Sequence, residues 1–186
     1  MGYIDKTLVF ESNKIYYTEN DTQYEVMMDW EDNIMSASAA YICQNGGDIL
    51  EIGFGMGISA DYIQTHTIAS HTIIENHPQV IPKAQAWASG KTNVTIITSS
   101  WFDVKDTLLT YDGLFYDTYG DNNSINFSSS LSSLMKVGGR ATWWNNNTTE
   151  DDVFNIPNLT WQSLTISPPA NSYFNATTYY LPQKQF

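Results

Sequence analysis

The chain has 186 residues, of which 8 are basic and 20 acidic, for a formal charge of -12. That length most simply makes one domain, able to bury roughly two-thirds of its unfolded surface without a staple. The charge argues against sequence-independent binding of nucleic acid or an anionic membrane, and the single cysteine, Cys43, excludes an internal disulfide and points to a reducing compartment.

The opening residues MGYIDKTLVF carry no basic segment followed by an apolar stretch, and no apolar run approaches the roughly 18 residues that span a bilayer. A soluble, cytoplasmic protein is therefore expected. After a polar lead-in, 27–43 turns helical in its second half, with Ile34, Met35, Ala37, Ala39 and Ile42 near helical spacing, and Asn45-Gly46-Gly47 ends it. A strand from Ile49 breaks into the alternating glycines Gly53, Gly55 and Gly57, which open a helix over 58–64. A second strand over 72–75 ends at Glu75, before His77-Pro78 and a helix over 80–88. The β-branched run 94–98 is a third strand, with Ser99, Ser100 and Trp101 at its exit and a helix over 103–109. A short buried strand over 114–116 ends in Asp117. A helix over 127–135 follows, then a fifth strand over 141–144 and two further strands over 159–166 and 177–181.

Strands alternating with helices, closed by a strand pair without a helix, imply an open α/β sheet that is mostly parallel with an antiparallel edge. Ligands in such sheets bind at the carboxyl ends of the strands, which places the glycines, Glu75, Ser99 to Trp101, Asp117 and Asn145 along one rim. Glu75 would accept the hydroxyls of a ribose. A dinucleotide fingerprint wants a third glycine where Ile58 stands. The alternation found here, with Glu51 two residues ahead of Gly53, suits S-adenosylmethionine better than NAD. His66, His71 and His77 lack metal-ligand spacing, and no Gly-x-Ser-x-Gly elbow offers a serine nucleophile.

Four motifs in order carry a family resemblance: Met27-Met28-Asp29-Trp30-Glu31, Ile52-Gly53-Phe54-Gly55-Met56-Gly57, His71-Thr72-Ile73-Ile74-Glu75 and Phe115-Tyr116-Asp117-Thr118-Tyr119. The chain resembles the guanidinoacetate N-methyltransferases and the catalytic domain of the fungal protein-arginine N-delta methyltransferases. The match runs over about 27–140, with a weaker echo in Pro168-Pro169 and Tyr179-Tyr180-Leu181-Pro182-Gln183. The resemblance implies a Rossmann-like class I methyltransferase with a seven-stranded sheet and a shortened C-terminal region. It divides the single domain into a substrate-covering segment 1–47, a cofactor core 48–144 and a C-terminal strand pair 145–186.

By the same resemblance Glu31 and Asp117 grip a substrate guanidinium, whose planar fork of N–H donors matches paired carboxylates. The nitrogen has no free lone pair until a proton leaves, so one carboxylate acts as base, and Asp117 is the candidate because its strand tip faces the cofactor. The resemblance further implies Ser99, Ser100 and Trp101 beside the adenine, Met35 beside the cofactor, Tyr119 as a pocket wall, and Asn146 and Asn147 at the substrate. Where the family has a long helical insertion, only 145–158 is available, with one short helix over 149–154 expected.

The expected activity is S-adenosylmethionine-dependent N-methylation of a guanidino nitrogen, on a guanidinoacetate-like small molecule or on arginine. A catalytically silent cofactor-binding subunit is the alternative, and an NAD-type oxidoreductase is disfavoured by Ile58. No nucleic acid or membrane partner is expected, and self-association into a homodimer is left open.

Overall fold

The computed structural model describes residues 2–186. Its N-terminal part is a three-stranded antiparallel sheet of β1 (Val9–Phe10), β2 (Lys14–Glu19) and β3 (Thr22–Met28). A two-residue turn joins β2 to β3, with Asn20 and Asp21 at φ 50° and 60°, so the polar lead-in, to which the sequence reading assigns no element, contains a β-hairpin. A 3-10 turn, Asp29–Glu31, then leads directly into α1 (Asp32–Ile42).

The rest alternates: β4 (Asp48–Ile52), α2 (Ile58–Gln64), β5 (Ser70–Ile74), α3 (Ile81–Ala88), β6 (Val94–Ile97), α4 (Trp101–Val104), β7 (Tyr111–Tyr116), α5 (Phe127–Leu134), β8 (Met135–Trp143), β9 (Thr160–Thr165) and β10 (Thr178–Gln185). The seven strands order as β6-β5-β4-β7-β8-β10-β9, parallel from β6 to β8, with β10 and β9 antiparallel at the edge. This is the mostly parallel α/β sheet that the alternation implied.

Strand periodicity sorts the core onto two faces. Ile49 and Phe115 pack with Met35, Ala39 and Ile42 of α1, and Leu50, Ile52, Leu114 and Tyr116 pack with Phe127, Leu131 and Leu134 of α5. Phe127 is fully buried and stacks on Tyr116 at 4.1 Å between ring centres, so its truncation to alanine costs about 3–5 kcal/mol. The small sheet covers a third region, where Leu8 and Ile15 meet Phe54, Ile73, Val80 and Ala84.

Several element boundaries differ from the sequence reading: β7 begins at Tyr111 rather than 114, and β10 runs on to Gln185 rather than ending at 181. Met135 opens β8 rather than closing α5, and β8 runs straight through Gly138 and Gly139, where the pairing with β7 shifts register and Gly138 takes φ +81°. The helix expected over 103–109 begins at Trp101 and ends at Val104, followed by a 3-10 turn, Lys105–Thr107. No helix forms over 149–154. That segment is held instead by Asp152, whose Oδ1 accepts from Trp143 Nε1 at 2.7 Å and whose Oδ2 accepts from Ile156 N at 2.6 Å.

Candidate active site

At the carboxyl ends of β4, β5, β6 and β7 lies a cleft that is open to solvent at its mouth. Of the residues expected on this rim, Gly53, Gly55, Glu75, Ser99, Ser100, Trp101, Asp117 and Tyr119 all line it. Sheet register is the reason: Ile52 pairs with Ile74 and with Tyr116, so the residues that follow each strand emerge side by side. Gly53 N donates to Ile74 O and Asp117 N to Ile52 O, both at 2.9 Å, which carries the register one step past the strand ends.

That closeness explains the first glycine. A β-carbon on Gly53 would lie 1.9 Å from the Asp117 carbonyl oxygen, and its φ of +95° is one that other residues rarely adopt. Gly57 takes φ +80° at the start of α2 and shapes the turn without lining the cleft.

Glu75 lines the cleft while holding the loop around it. Its Oε2 accepts from Phe54 N at 3.0 Å, and its Oε1 accepts from Asn76 N at 2.8 Å and His77 N at 2.7 Å. A carboxylate has roughly four acceptor positions, so these three bonds leave capacity for one ribose hydroxyl. On the opposite side Asp121 ties the 118–123 loop down, accepting from Trp101 Nε1 at 2.6 Å, Tyr116 Oη at 2.7 Å and Asn123 N at 2.8 Å. This anchor is absent from the sequence reading, which stopped at Tyr119.

Glu51 stands apart from the cleft lining. It is fully buried beneath the glycine turn, accepts from Ser59 Oγ, and pairs with His71 Nε2 at 2.9 Å. Its carboxylate therefore braces β4, β5 and α2 together. Met35 is likewise fully buried, in the core between α1 and the sheet. Cys43 is buried as well, and burial pushes its thiol up to about 12, which removes it as a nucleophile.

The second cluster forms around Glu31, which is 3 % exposed. Its Oε1 accepts from Met28 N at 2.8 Å and from Tyr173 Oη at 2.6 Å, and Oε2 accepts nothing from the described residues. Asp117 belongs to both groups. It lines the cleft, and its charge acts on Glu31, yet its own side chain accepts no hydrogen bond from the described residues. Burial first, then the neighbouring carboxylates, hold both carboxyls above the usual carboxylate range.

Tyr179 completes the cluster, with its buried hydroxyl accepting from Asn145 N at 2.7 Å and lying in the field of Asp117 and Glu31. Asn145 is fully buried there, while Asn146 is exposed and Asn147 reaches Asp151 O at 2.9 Å. Asn145 thus reaches the Tyr179 hydroxyl, while Asn146 and Asn147 follow a chain that turns outward after β8. Among the described residues no group of His, Cys, Asp and Glu has the arrangement to hold a metal ion.

Comparison with known proteins identifies the family and the fold. Residues 5–152 match the family model described as guanidinoacetate N-methyltransferase. A protein named protein arginine N-methyltransferase 2 from Yarrowia lipolytica is 34% identical over 161 residues, covering 78% of this chain and 33% of that protein. Its namesake from Kluyveromyces lactis is 29% identical over 219 residues, covering all of this chain and 51% of its own length. The chain thus spans between a third and a half of these two relatives. Among solved structures, the N-methyltransferase NodS from Bradyrhizobium japonicum superposes with a TM-score of 0.64 at 12% identity, over 84% of this chain and 96% of that one. Spermidine synthase from Thermotoga maritima gives 0.62 at 10% identity, over 96% and 72%. At such identities these two likenesses describe the fold.

Proposed function

The chain belongs to the guanidinoacetate N-methyltransferase family, whose methyl donor is S-adenosylmethionine, and from that premise we propose that it methylates a guanidino nitrogen, of arginine or of a small guanidino compound. One observation carries this reading: buried Glu31 and half-buried Asp117, whose charge acts on it, keep Glu31 Oε2 and both Asp117 oxygens free of donors from the described residues. A guanidinium is the cation whose planar N–H fork satisfies such a pair, and the desolvated site strengthens each bond.

The cleft fits the cofactor in kind, with a glycine turn that admits close approach, a carboxylate at Glu75 with spare acceptor capacity, and Ser99 to Trp101 among its lining. Bound there, S-adenosylmethionine supplies an electrophilic methyl group on a sulfonium. The protein's part is positioning and proton transfer. Glu31 and Asp117 hold the guanidinium so that one nitrogen faces the cleft, which Asp117 borders. A nitrogen lone pair becomes available only as a proton leaves, and an adjacent ionised carboxylate is the group placed to receive it. Asp117 fills this role, since its oxygens are committed to nothing else.

Mass-spectrometric detection of methylated product across a panel of guanidino compounds and arginine peptides, with calorimetry of cofactor binding beside it, tests the reading. Glu31→Gln and Asp117→Asn should each lower transfer at least a hundredfold while cofactor affinity stays within a few-fold, the range expected for a lost acid–base group. Normal transfer by both variants would refute the assignment.

A further inference from the structure

The connection between β9 and β10, residues 166–177, has no helix or strand, yet it is fixed along its length. Ile166 N donates to Thr177 O at 3.0 Å and closes its base. Within it, Asn171 Oδ1 accepts from Tyr173 N at 2.9 Å and Phe174 N at 2.7 Å, while Asn171 Nδ2 donates to Pro169 O at 2.9 Å and Phe174 O at 2.6 Å. Ser172 ties the loop to β3, donating its N and Oγ to Glu25 Oε2 at 3.0 and 2.5 Å. Phe174, 2 % exposed, seals it against Trp30, Trp144 and Tyr179.

This framework delivers one polar group to the carboxyl pair. The Tyr173 ring stacks on Trp30 at 5.8 Å between centres and meets Trp144 edge-on at 5.9 Å, which fixes the hydroxyl that donates to Glu31 Oε1. With Met28 N donating to the same oxygen, both acceptor positions of Oε1 are filled. We propose that Tyr173 is a positioning residue of the acceptor site, whose hydroxyl locks the Glu31 carboxylate so that Oε2 alone is presented to the guanidinium.

The proposal rests on the guanidino reading above and adds to it a wall and a specificity element supplied by the β9–β10 loop. Burial and the adjacent Glu31 charge push the phenol pKa up, so Tyr173 stays a donor throughout the working pH range. Without its hydroxyl only Met28 N would constrain the carboxylate, and Glu31 could rotate to share its free oxygen less favourably. The other titratable groups acting on Glu31 or on the pair are Asp117 after β7, Glu51 on β4, whose charge acts on Asp117, and Tyr179 on β10.

Two readouts on Tyr173→Phe test it. Loss of a hydrogen bond to a charged group should raise KM for the guanidino acceptor about tenfold or more, with cofactor affinity within twofold. In the cofactor-free protein, the Glu31 carboxyl, followed by carbon-13 NMR, should titrate at higher pH in Tyr173→Phe than in the parent, because the hydroxyl favours the ionised form. Ser172→Ala should move that titration in the same direction by less. An unmoved Glu31 titration in Tyr173→Phe, or cofactor and acceptor affinities falling together, would overturn the proposal. The titration requires no turnover, so an absence of methyl transfer would count against the guanidino reading and leave this readout standing.

Discussion

Two neighbouring carboxyls, Glu31 buried and Asp117 half-buried, keep protons that an unfolded chain would release. Glu31 and Asp117 are both held above the usual range, chiefly by burial. Between the unfolded value of about 4 and the raised folded values the native chain therefore binds more protons than the unfolded one, and stability falls as pH rises through that window. Asp117→Asn removes one charge from the pair without losing a protein hydrogen bond. The cofactor-free variant should be more stable than the parent at pH 8, by on the order of 1 kcal/mol, and the gain should vanish near pH 4, as read by thermal denaturation at the two pH values. A guanidinium reverses the sign, because it favours the ionised pair. Acceptor binding should thus release protons, visible as a calorimetric heat that varies with the ionisation enthalpy of the buffer. At Gly53 the constraint is steric: alanine there meets the Asp117 carbonyl and a left-handed φ, so Gly53→Ala should cost at least about 2 kcal/mol and abolish cofactor binding.

At the scale of elements, each strand of the large sheet was legible because β-branched and apolar runs alternate with helical spacing and are punctuated by glycine. The small sheet was not. Its strands Lys14–Glu19 and Thr22–Met28 are half-buried and mix Lys, Glu and Gln with Tyr and Val, and only the Asn20-Asp21 pair marks the turn. Met135 reads as the end of the preceding helix because apolar character cannot distinguish a helix end from a strand start when no breaker lies between. Glu31 and Asp117 were legible through family motifs. Tyr173 was not, since it meets Glu31 across 142 residues of chain from a connection without periodicity. The hairpin offers a direct test. Asp21 pays for its φ of 60° with a side chain that crowds the backbone, whereas glycine adopts that conformation freely. Asp21→Gly should raise stability by about 0.5–1 kcal/mol in a denaturant titration, with the slope unchanged.

Over the whole molecule, the eight basic residues are disposed away from the carboxyl pair. Lys6, Lys14, Lys105 and Lys136 pair with Glu19, Glu11, Asp106 and the Asp48–Asp112 pair respectively. Lys83 and Arg140 lie over the Phe10 and Tyr41 rings, and Lys91 and Lys184 donate to the carbonyls of Trp87 and Pro157. None of the eight lines the cleft or hydrogen-bonds to Glu31 or Asp117, so a net charge of -12 meets an approaching cation without a local positive barrier. Long-range attraction of this kind acts on encounter and is screened by salt, with a Debye length of about 10 Å at 0.1 M. For a cationic arginine peptide, kcat/KM should fall on the order of three- to tenfold as ionic strength rises from about 0.02 to 0.3 M. For zwitterionic guanidinoacetate, which carries no net charge, it should change far less. Equal slopes for the two acceptors would mean that the acidic surface serves solvation alone, and that recognition begins only at the buried pair.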